Sequence, residues 1–243
     1  MTDHKTIYSE QADKYEALIA REDYRENILR TLEAITPLKG RFVLDLGAGT
    51  GRLACLLAPR VDSIRAYDVS AEMIRVAADR LSASGLTNWD VGVADHRSLP
   101  VEDHCADLVV SGWSVSYLAV WNPDHWRAEL EAWMTEMKRV LKPGGMIVLY
   151  ESLGTGNESP IRLPHMEKFY PWLDEVGFQN QWIRTDYRFE SLAEATDLAG
   201  FFFGAELADR VQKERLVILP ECTGVWWKIM ERRSKPPAPS RTN

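Results

Sequence analysis

Apolar and polar residues follow two rhythms along the chain. Short apolar runs occupy residues 41–46 (RFVLDL), 64–69 (IRAYDV), 89–95 (WDVGVAD), 106–111 (ADLVVS) and 146–150 (MIVLY). Each has strand length and stands between polar or turn-forming stretches, so five strands are predicted. Between them, apolar residues recur every three or four positions. Tyr8, Ala12, Tyr15 and Ile19 share a face in a helical region over 5–35, and RLACLLAPR (52–60) forms a second helix. Ser70 is a natural cap for a helix striped by Ile74, Ala77, Ala78 and Leu81. A further helix opens with Asn122 as cap, Pro123 at the first position and Asp124 at the positive end of the dipole. Its apolar face is Trp126, Leu130, Trp133, Met137 and Leu141; Lys138, Arg139 and Lys142 crowd its last turn, and Pro143-Gly144-Gly145 stops it.

Continuous apolar strands alternating with amphipathic helices predict a parallel sheet covered by helices on both faces, an α/β architecture. Beyond residue 150 the pattern changes. A helix over 163–176 contains Pro171, which predicts a kink. Residues 177–189 and 223–232 alternate like strands, and a helical insertion of about 30 residues (190–220) separates them. The last residues, 234–243, are rich in Pro and Ser and predict a flexible tail.

Composition narrows the picture. The 243 residues are 45% hydrophobic and 27% charged, which suits one α/β domain spanning the chain. A net charge of -7 gives no bulk attraction for phosphate backbones, so nucleic acid is not an expected partner. Cys55, Cys105 and Cys222 are few and far apart, as free thiols of a reducing compartment would be, with no metal or redox spacing. No stretch approaches about 18 continuous apolar residues and the N-terminus carries no signal core, so the expected location is the cytoplasm, with no membrane span.

The informative chemistry begins where the first strand ends, in VLDLGAGTGRL (43–53). A glycine-rich turn between strand and helix lets backbone approach a ligand without a Cβ in the way. Dinucleotide sites use G-x-G-x-x-G, but the third glycine would fall at position 52, which is Arg52. The stretch instead resembles motif I of the class I S-adenosylmethionine-dependent methyltransferases, with Asp45, Gly47, Gly49 and Gly51 in place. Three further stretches match in order. The second strand ends in Asp68, followed by SAEMI with Met73; the third ends in ADHRSLP with Asp95 and His96; the fourth is ADLVVSGW, and RVLKPGG precedes the fifth. Position 94 is Ala rather than the family's commoner Gly. The resemblance covers roughly residues 5–155, is closest to the small-molecule branch that includes ubiquinone/menaquinone-biosynthesis enzymes, and extends less sharply to the C-terminal strands.

The resemblance implies a Rossmann-like, seven-stranded, mostly parallel sheet with antiparallel sixth and seventh strands, cap helices over 5–35, a cofactor-binding core over 41–155 and a helical lid over 190–220. It implies S-adenosyl-L-methionine as cofactor, held by Tyr8, Tyr15, Asp45, Gly47, Ala48, Gly49, Gly51, Asp68, Met73, Asp95, His96 and Ser111. In the family the acid at Asp68 holds the ribose, the methionine at Met73 lies against the adenine, and the acid at Asp95 accepts from the adenine amine. Competing readings are a helix-capping Asp68, a core Met73 and a solvated His96 ring.

Methyl transfer is an in-line displacement that depends mainly on positioning, and a base is needed only for a protonated nucleophile. His96, His165, Tyr117, Tyr150 and Glu151 lie in segments that border the expected pocket, and none is fixed as catalytic. The N-P-P-(F/Y) signature of amino-group methylation is missing; Ser111-Gly112-Trp113-Ser114 stands in its place. No acid cluster resembles a divalent-metal site, so no metal is expected. A small-molecule acceptor, flat and apolar, is expected to meet Trp113, Tyr117, Phe201 and Phe202. Phe201, Phe202 and Phe203 cannot all face one way on a helix, so at least one serves the core. The alternatives are a non-catalytic S-adenosylmethionine-binding protein and an NAD-dependent oxidoreductase on a related sheet. The acceptor atom (O, N or C) and the oligomeric state are left open.

Overall fold

The computed structural model describes residues 4–231, so the expected tail at 234–243 lies outside the described residues. The helical region at the N-terminus is three helices, α1 (His4–Glu10), α2 (Ala12–Ile19) and α3 (Asn27–Ile35). Then come β1 (Phe42–Leu46), α4 (Arg52–Leu57), β2 (Ser63–Asp68), α5 (Ala71–Ala83), β3 (Trp89–Val93) and β4 (Ala106–Gly112). A short α6 (Ser116–Val120) precedes α7 (Trp126–Val140) and β5 (Leu141–Thr155). The C-terminal part holds α8 (Phe169–Glu175), β6 (Gln179–Arg184), β7 (Tyr187–Arg188), α9 (Leu192–Phe203), α10 (Ala205–Glu214), β8 (Ile218–Leu219) and β9 (Glu221–Ile229).

The main sheet has the order β3-β2-β1-β4-β5-β9-β6. β1 pairs parallel with β2 and β4, and β5 continues the parallel run. β9 is antiparallel to both β5 and β6. Two reversals cancel, so β6 runs with the parallel strands and β9 opposes them: the expected antiparallel last strand is present, and only the expectation that the strand before it is also antiparallel is corrected. The five predicted core strands are all present.

Alternate residues of each strand feed two cores. Leu44, Leu46, Ile147 and Leu149 pack with Trp133 and Met137 of α7 and Phe169 and Trp172 of α8. Val43, Val110, Val148 and Tyr150 pack on the opposite face with Ile28 and Leu32 of α3 and Leu53 and Leu57 of α4. A strand buried on both faces has no polar side, which is why these runs read as continuous rather than alternating.

Local signals explain the helix boundaries. Ser70 caps α5, its hydroxyl accepting from the Met73 N–H at 3.3 Å. α7 begins at Trp126 with His125 as its cap, later than Asn122 predicts; residues 122–125 instead close a turn in which the His125 N–H donates to the Asn122 carbonyl at 3.0 Å. Pro164 starts a separate 3-10 turn before α8, so the expected kinked helix is two pieces, and Pro171 falls in the first turn of α8, where its missing N–H costs nothing. The predicted strand over 177–189 divides at Thr185–Asp186; β7 leaves the main sheet to pair with β8. The insertion has its own small core, in which Leu18 of α2 packs with Tyr187, Phe189, Ala195, Leu198 and Val211. Among the described residues no helix is long and apolar enough to cross a membrane.

Candidate functional site

β1 sits at the centre of the parallel run, with the chain leaving to β2 on one side and β4 on the other. In such sheets ligands bind in the crevice outside the carboxyl ends of the strands, where the order reverses. The glycine turn after β1 lies in that crevice. Gly47, Gly49 and Gly51 have φ of +63°, +54° and +80°, the left-handed region that favours glycine. A Cβ on Gly47 would come within 1.8 Å of Ser114 Oγ, so no other residue fits beside the loop after β4. A Cβ on Gly51 would stand 3.0 Å from Ala77 Cβ. Gly51 therefore serves the packing of α4 on α5, and it lines neither cavity described below.

Asp68 ends β2, and its two carboxylate oxygens accept from the N–H groups of Gly49 and Ser70, each at 2.9 Å. Both hydrogen bonds fix the carboxylate beside the glycine turn, and each oxygen keeps a second lone pair for a ligand. Met73 is 1% exposed and packs with Ala12, Val76, Tyr8 and Tyr15. Asp95 is held by Arg97, whose Nε donates at 2.7 Å and whose backbone N–H donates at 2.8 Å to Oδ1. The hydrogen bonds from Arg97 hold the Asp95 carboxyl below its ordinary range. The His96 ring is buried rather than solvated; its Nε2 lies 3.3 Å from Ser114 Oγ and its Nδ1 has no partner. Burial lowers its pKa, so the ring is neutral.

These groups surround a cavity of about 810 Å³ lined by Gly47, Gly49, Asp68, Met73, Asp95 and His96. A second cavity of about 580 Å³ adjoins it, lined by Asp45, Ala48, Arg52, His165, Phe202 and Glu221 among others. Tyr8, Tyr15, Gly47, Gly49, Trp113 and Tyr117 line both. Most of this shared lining is aromatic. The Tyr8 and Tyr117 hydroxyls are 3.0 Å apart, the Tyr8 and Tyr15 rings meet edge to face at 5.3 Å, and Phe202 stacks on His4 at 4.6 Å. α2 is pinned to the glycine turn: Thr50 Oγ1 donates to Glu16 at 2.5 Å, and Arg80 donates to Glu16 and to the Thr50 carbonyl at 2.8 Å each. Burial raises the pKa of Tyr8, Tyr15 and Tyr117, so these phenols stay protonated.

Asp45 answers for the acid in the glycine motif. It is 1% exposed, its carboxylate oxygens make no well-formed hydrogen bond although the backbone N–H of Ala54 acts on them, and it lines the second cavity. Burial pushes its carboxyl up to about 7. A buried acid facing a cavity in this state is complete only when a donor or cation arrives there.

Several expected site residues are placed elsewhere. The Ser111 hydroxyl is buried and donates to the Leu46 carbonyl at 2.6 Å, so it secures β1 to β4 and lines neither cavity. Glu151 accepts from the Ser116 N–H at 2.9 Å and the Ser116 hydroxyl at 2.8 Å; it caps α6 and is turned away from both cavities. Tyr150 donates to the Ile28 carbonyl at 3.2 Å inside the core. Phe201 lies outside the cavity lining, its ring 4.9 Å from the Lys14 ammonium. Phe203 meets Tyr187 of the small core and also reaches the second cavity. His165 does line the second cavity, and burial lowers its pKa. Glu22, Arg52 and Glu221 line it too and were missed as site residues, because nothing in their local sequence distinguishes them from solvated charges. Among the described residues no group of three or more His, Cys, Asp or Glu is placed to hold a metal ion.

Residues 43–145, which carry the glycine turn and both acids at the strand ends, match a family described as a methyltransferase domain. The chain is 31% identical over 177 residues to the malonyl-[acyl-carrier protein] O-methyltransferase of a Marinomonas species, an alignment covering 70% of this chain and 58% of the relative. The ubiquinone/menaquinone biosynthesis C-methyltransferase UbiE of Cupriavidus metallidurans is 32% identical over 147 residues, 56% of this chain and 54% of that protein. Over residues 43–145 this chain is therefore similar to a methyltransferase domain. The chain thus spans a little over half the length of these curated relatives. A methyltransferase structure from Aquifex aeolicus shares the fold, with a TM-score of 0.58 at 18% identity, covering 89% of this chain and 96% of that one.

The site fits the family's cofactor on its own geometry. Gly49 keeps the turn open, a Cβ there meeting nothing nearer than Tyr15 Cε1 at 3.8 Å, Asp68 presents free lone pairs beside it, and the buried Asp45 carboxyl matches a ligand that carries an amino group and a cationic sulfur.

Proposed function

We propose that this protein transfers the methyl group of S-adenosylmethionine to a small molecule. One observation carries the reading: two cavities meet at the glycine turn, one bordered by the strand-end acids and one by aromatic rings. The larger takes the nucleoside. Asp68 accepts from the ribose hydroxyls, Met73 lies against the base, and Asp95 shares its carboxylate between Arg97 and the exocyclic amine. The backbone of Gly47, Ala48 and Gly49 and the Asp45 carboxyl receive the amino-acid end. Tyr8 and Tyr15 close over it from α1 and α2.

When bound, the cofactor supplies a methyl group on positively charged sulfur, open to in-line attack. The chain's contribution is position and dryness. The rings of Tyr8, Tyr15 and Tyr117 line both cavities, so they flank the junction through which the acceptor meets the methyl group and keep water out of it. Protonated phenols add dipoles but no base. His165 lines the acceptor cavity and burial lowers its pKa, which supports the reading that it receives a proton where the acceptor must lose one. α9 and α10 act as the lid through Phe202.

Mass spectrometry of the gently purified protein is expected to reveal S-adenosylmethionine or its demethylated product. A retained nicotinamide dinucleotide would overturn the reading in favour of an oxidoreductase. Cofactor retention without methyl loss to any small-molecule pool would favour a binding protein.

A further inference from the structure

One end of the acceptor cavity is charged and incompletely satisfied. Arg52 Nη1 pairs with Glu22 Oε2 at 2.6 Å, with side-chain exposures of 16% and 3%. The Arg52 guanidinium also lies over the Trp113 ring, 4.4 Å from its centre. Glu221, 2% exposed at the start of β9, accepts from Ser152 Oγ at 2.7 Å through Oε1. Glu22 Oε1, Arg52 Nη2 and Glu221 Oε2 are buried and make no well-formed hydrogen bond, although the Tyr187 hydroxyl acts on Glu22 and the Thr155 hydroxyl on Glu221. All three side chains line the cavity, and Glu22 and Arg52 both act electrostatically on Glu221. Tyr187 stands beside the cluster from β7, while Arg210 and Glu206 border the cavity from α10. Arg210 is already engaged with Glu214 at 3.2 Å.

A purely structural ion pair would use its atoms up. Here one guanidinium N–H and one carboxylate oxygen of the same pair are left over, and a second carboxyl beside them is left half satisfied. Buried polar atoms in that state cost stability unless something completes them. The completing group must accept from Arg52 and donate to Glu22. An ammonium donates but cannot accept, and it would sit beside the guanidinium. A carboxylate accepts but cannot donate, and it would face the Glu22 charge. A hydroxyl does both.

Resting on the methyltransferase reading of this site, the geometry points to a specific acceptor class: a neutral, hydroxyl-bearing molecule. Its hydroxyl sits between Glu22, Arg52 and Glu221, and its apolar ring lies against Trp113, Tyr117 and Phe202. Burial pushes the Glu221 carboxyl up to about 8, so at neutral pH it is a protonated, uncharged neighbour that adds no second repulsive or attractive charge to the pole.

Four probes on one frame test this: naphthalene, 1-naphthol, 1-naphthoate and 1-naphthylmethylammonium. Their binding is measured by ligand-observed NMR on the free protein and on protein saturated with S-adenosylhomocysteine. The expected result is 1-naphthol about tenfold or more tighter than naphthalene, as for a hydrogen bond to charged partners, with the two ionic probes no better than naphthalene. The paired variant Glu22→Gln/Arg52→Met replaces the ion pair with neutral groups of similar size and leaves no orphan charge. It should bind naphthalene as before and lose most of the naphthol preference. If it fails to fold by circular dichroism, Glu221→Met, which removes both carboxyl oxygens at similar size, is the second variant, and a several-fold drop in naphthol affinity is expected.

Equal binding of all four probes, no binding of any, or preference for an ionic probe overturns the hydroxyl assignment and leaves the methyltransferase reading standing. Failure of S-adenosylhomocysteine to bind defeats the methyltransferase reading. The ranking on the free protein then decides the pole by itself.

Discussion

Replacing Asp45 with Asn separates what the acid costs the fold from what it offers a ligand. Aspartate in an unfolded chain titrates near 3.9. Burial pushes Asp45 up to about 7; the Ala54 N–H opposes the rise and the Asp68 charge adds to it. Between those two values the folded chain holds a proton that the unfolded chain has released, so stability falls as pH rises through the window and is level above it. About three pH units at about 1.36 kcal/mol each give a ceiling of about 4 kcal/mol, and relaxation around the charge leaves about 2–4 kcal/mol. Asn keeps the shape without the charge. Asp45→Asn should therefore be more stable than the parent by that amount at pH 8, with the gap closing towards pH 4. Urea unfolding followed by circular dichroism across that range reads it directly. The same variant should bind S-adenosylmethionine more weakly, since the ligand's amino group loses its counter-charge. A variant that is less stable at pH 8, or a gap that does not change with pH, would refute the reasoning, because either result requires Asp45 to be satisfied within the protein.

Other substitutions follow from the same geometry. Asp68→Ala should weaken cofactor binding by about 1.5–3 kcal/mol, the worth of hydrogen bonds to a charged acceptor, as measured by calorimetry. Gly51→Ala places a Cβ 3.0 Å from Ala77 at a φ of +80°, and should cost about 1–3 kcal/mol in chemical denaturation. Phe202→Ala should raise the acceptor KM with little change in cofactor affinity, whereas Phe201→Ala, outside both cavities, should leave both kinetic constants near the parent's. Removing residues 1–20 would take Leu18 out of the insertion's core, so single replacement of Tyr8 is the cleaner probe of closure over the cofactor, and its measure is cofactor affinity at unchanged melting temperature.

The parts of the fold visible in the sequence are those governed by local pattern. Apolar runs such as MIVLY mark strands buried on both faces, and Ser70 marks a helix start because its hydroxyl does the capping itself. The strand-end acids were visible because the glycine turn, Asp68 and Asp95 occur in fixed order on successive strands. What stayed hidden depends on residues far apart in the chain. β6 runs parallel because both its reversal and that of β9 are set by long-range pairing. Glu151 looked like a pocket residue at the end of a strand, but the turn of α6 brings the Ser116 N–H onto it. Ser111 follows the same logic, satisfied across the sheet by Leu46. The Glu22, Arg52 and Glu221 pole joins an interhelix loop, a helix start and a strand start, and no local motif announces such a meeting.

The central claim is that the cavity at the glycine turn is an S-adenosylmethionine site. Isothermal titration of the purified protein with S-adenosylhomocysteine tests it most directly, with NAD titrated in parallel. The account predicts one saturable site per chain for S-adenosylhomocysteine, weakened in Asp68→Ala, and no heat from NAD. Saturable NAD binding, or no S-adenosylhomocysteine binding by a folded protein, would contradict it.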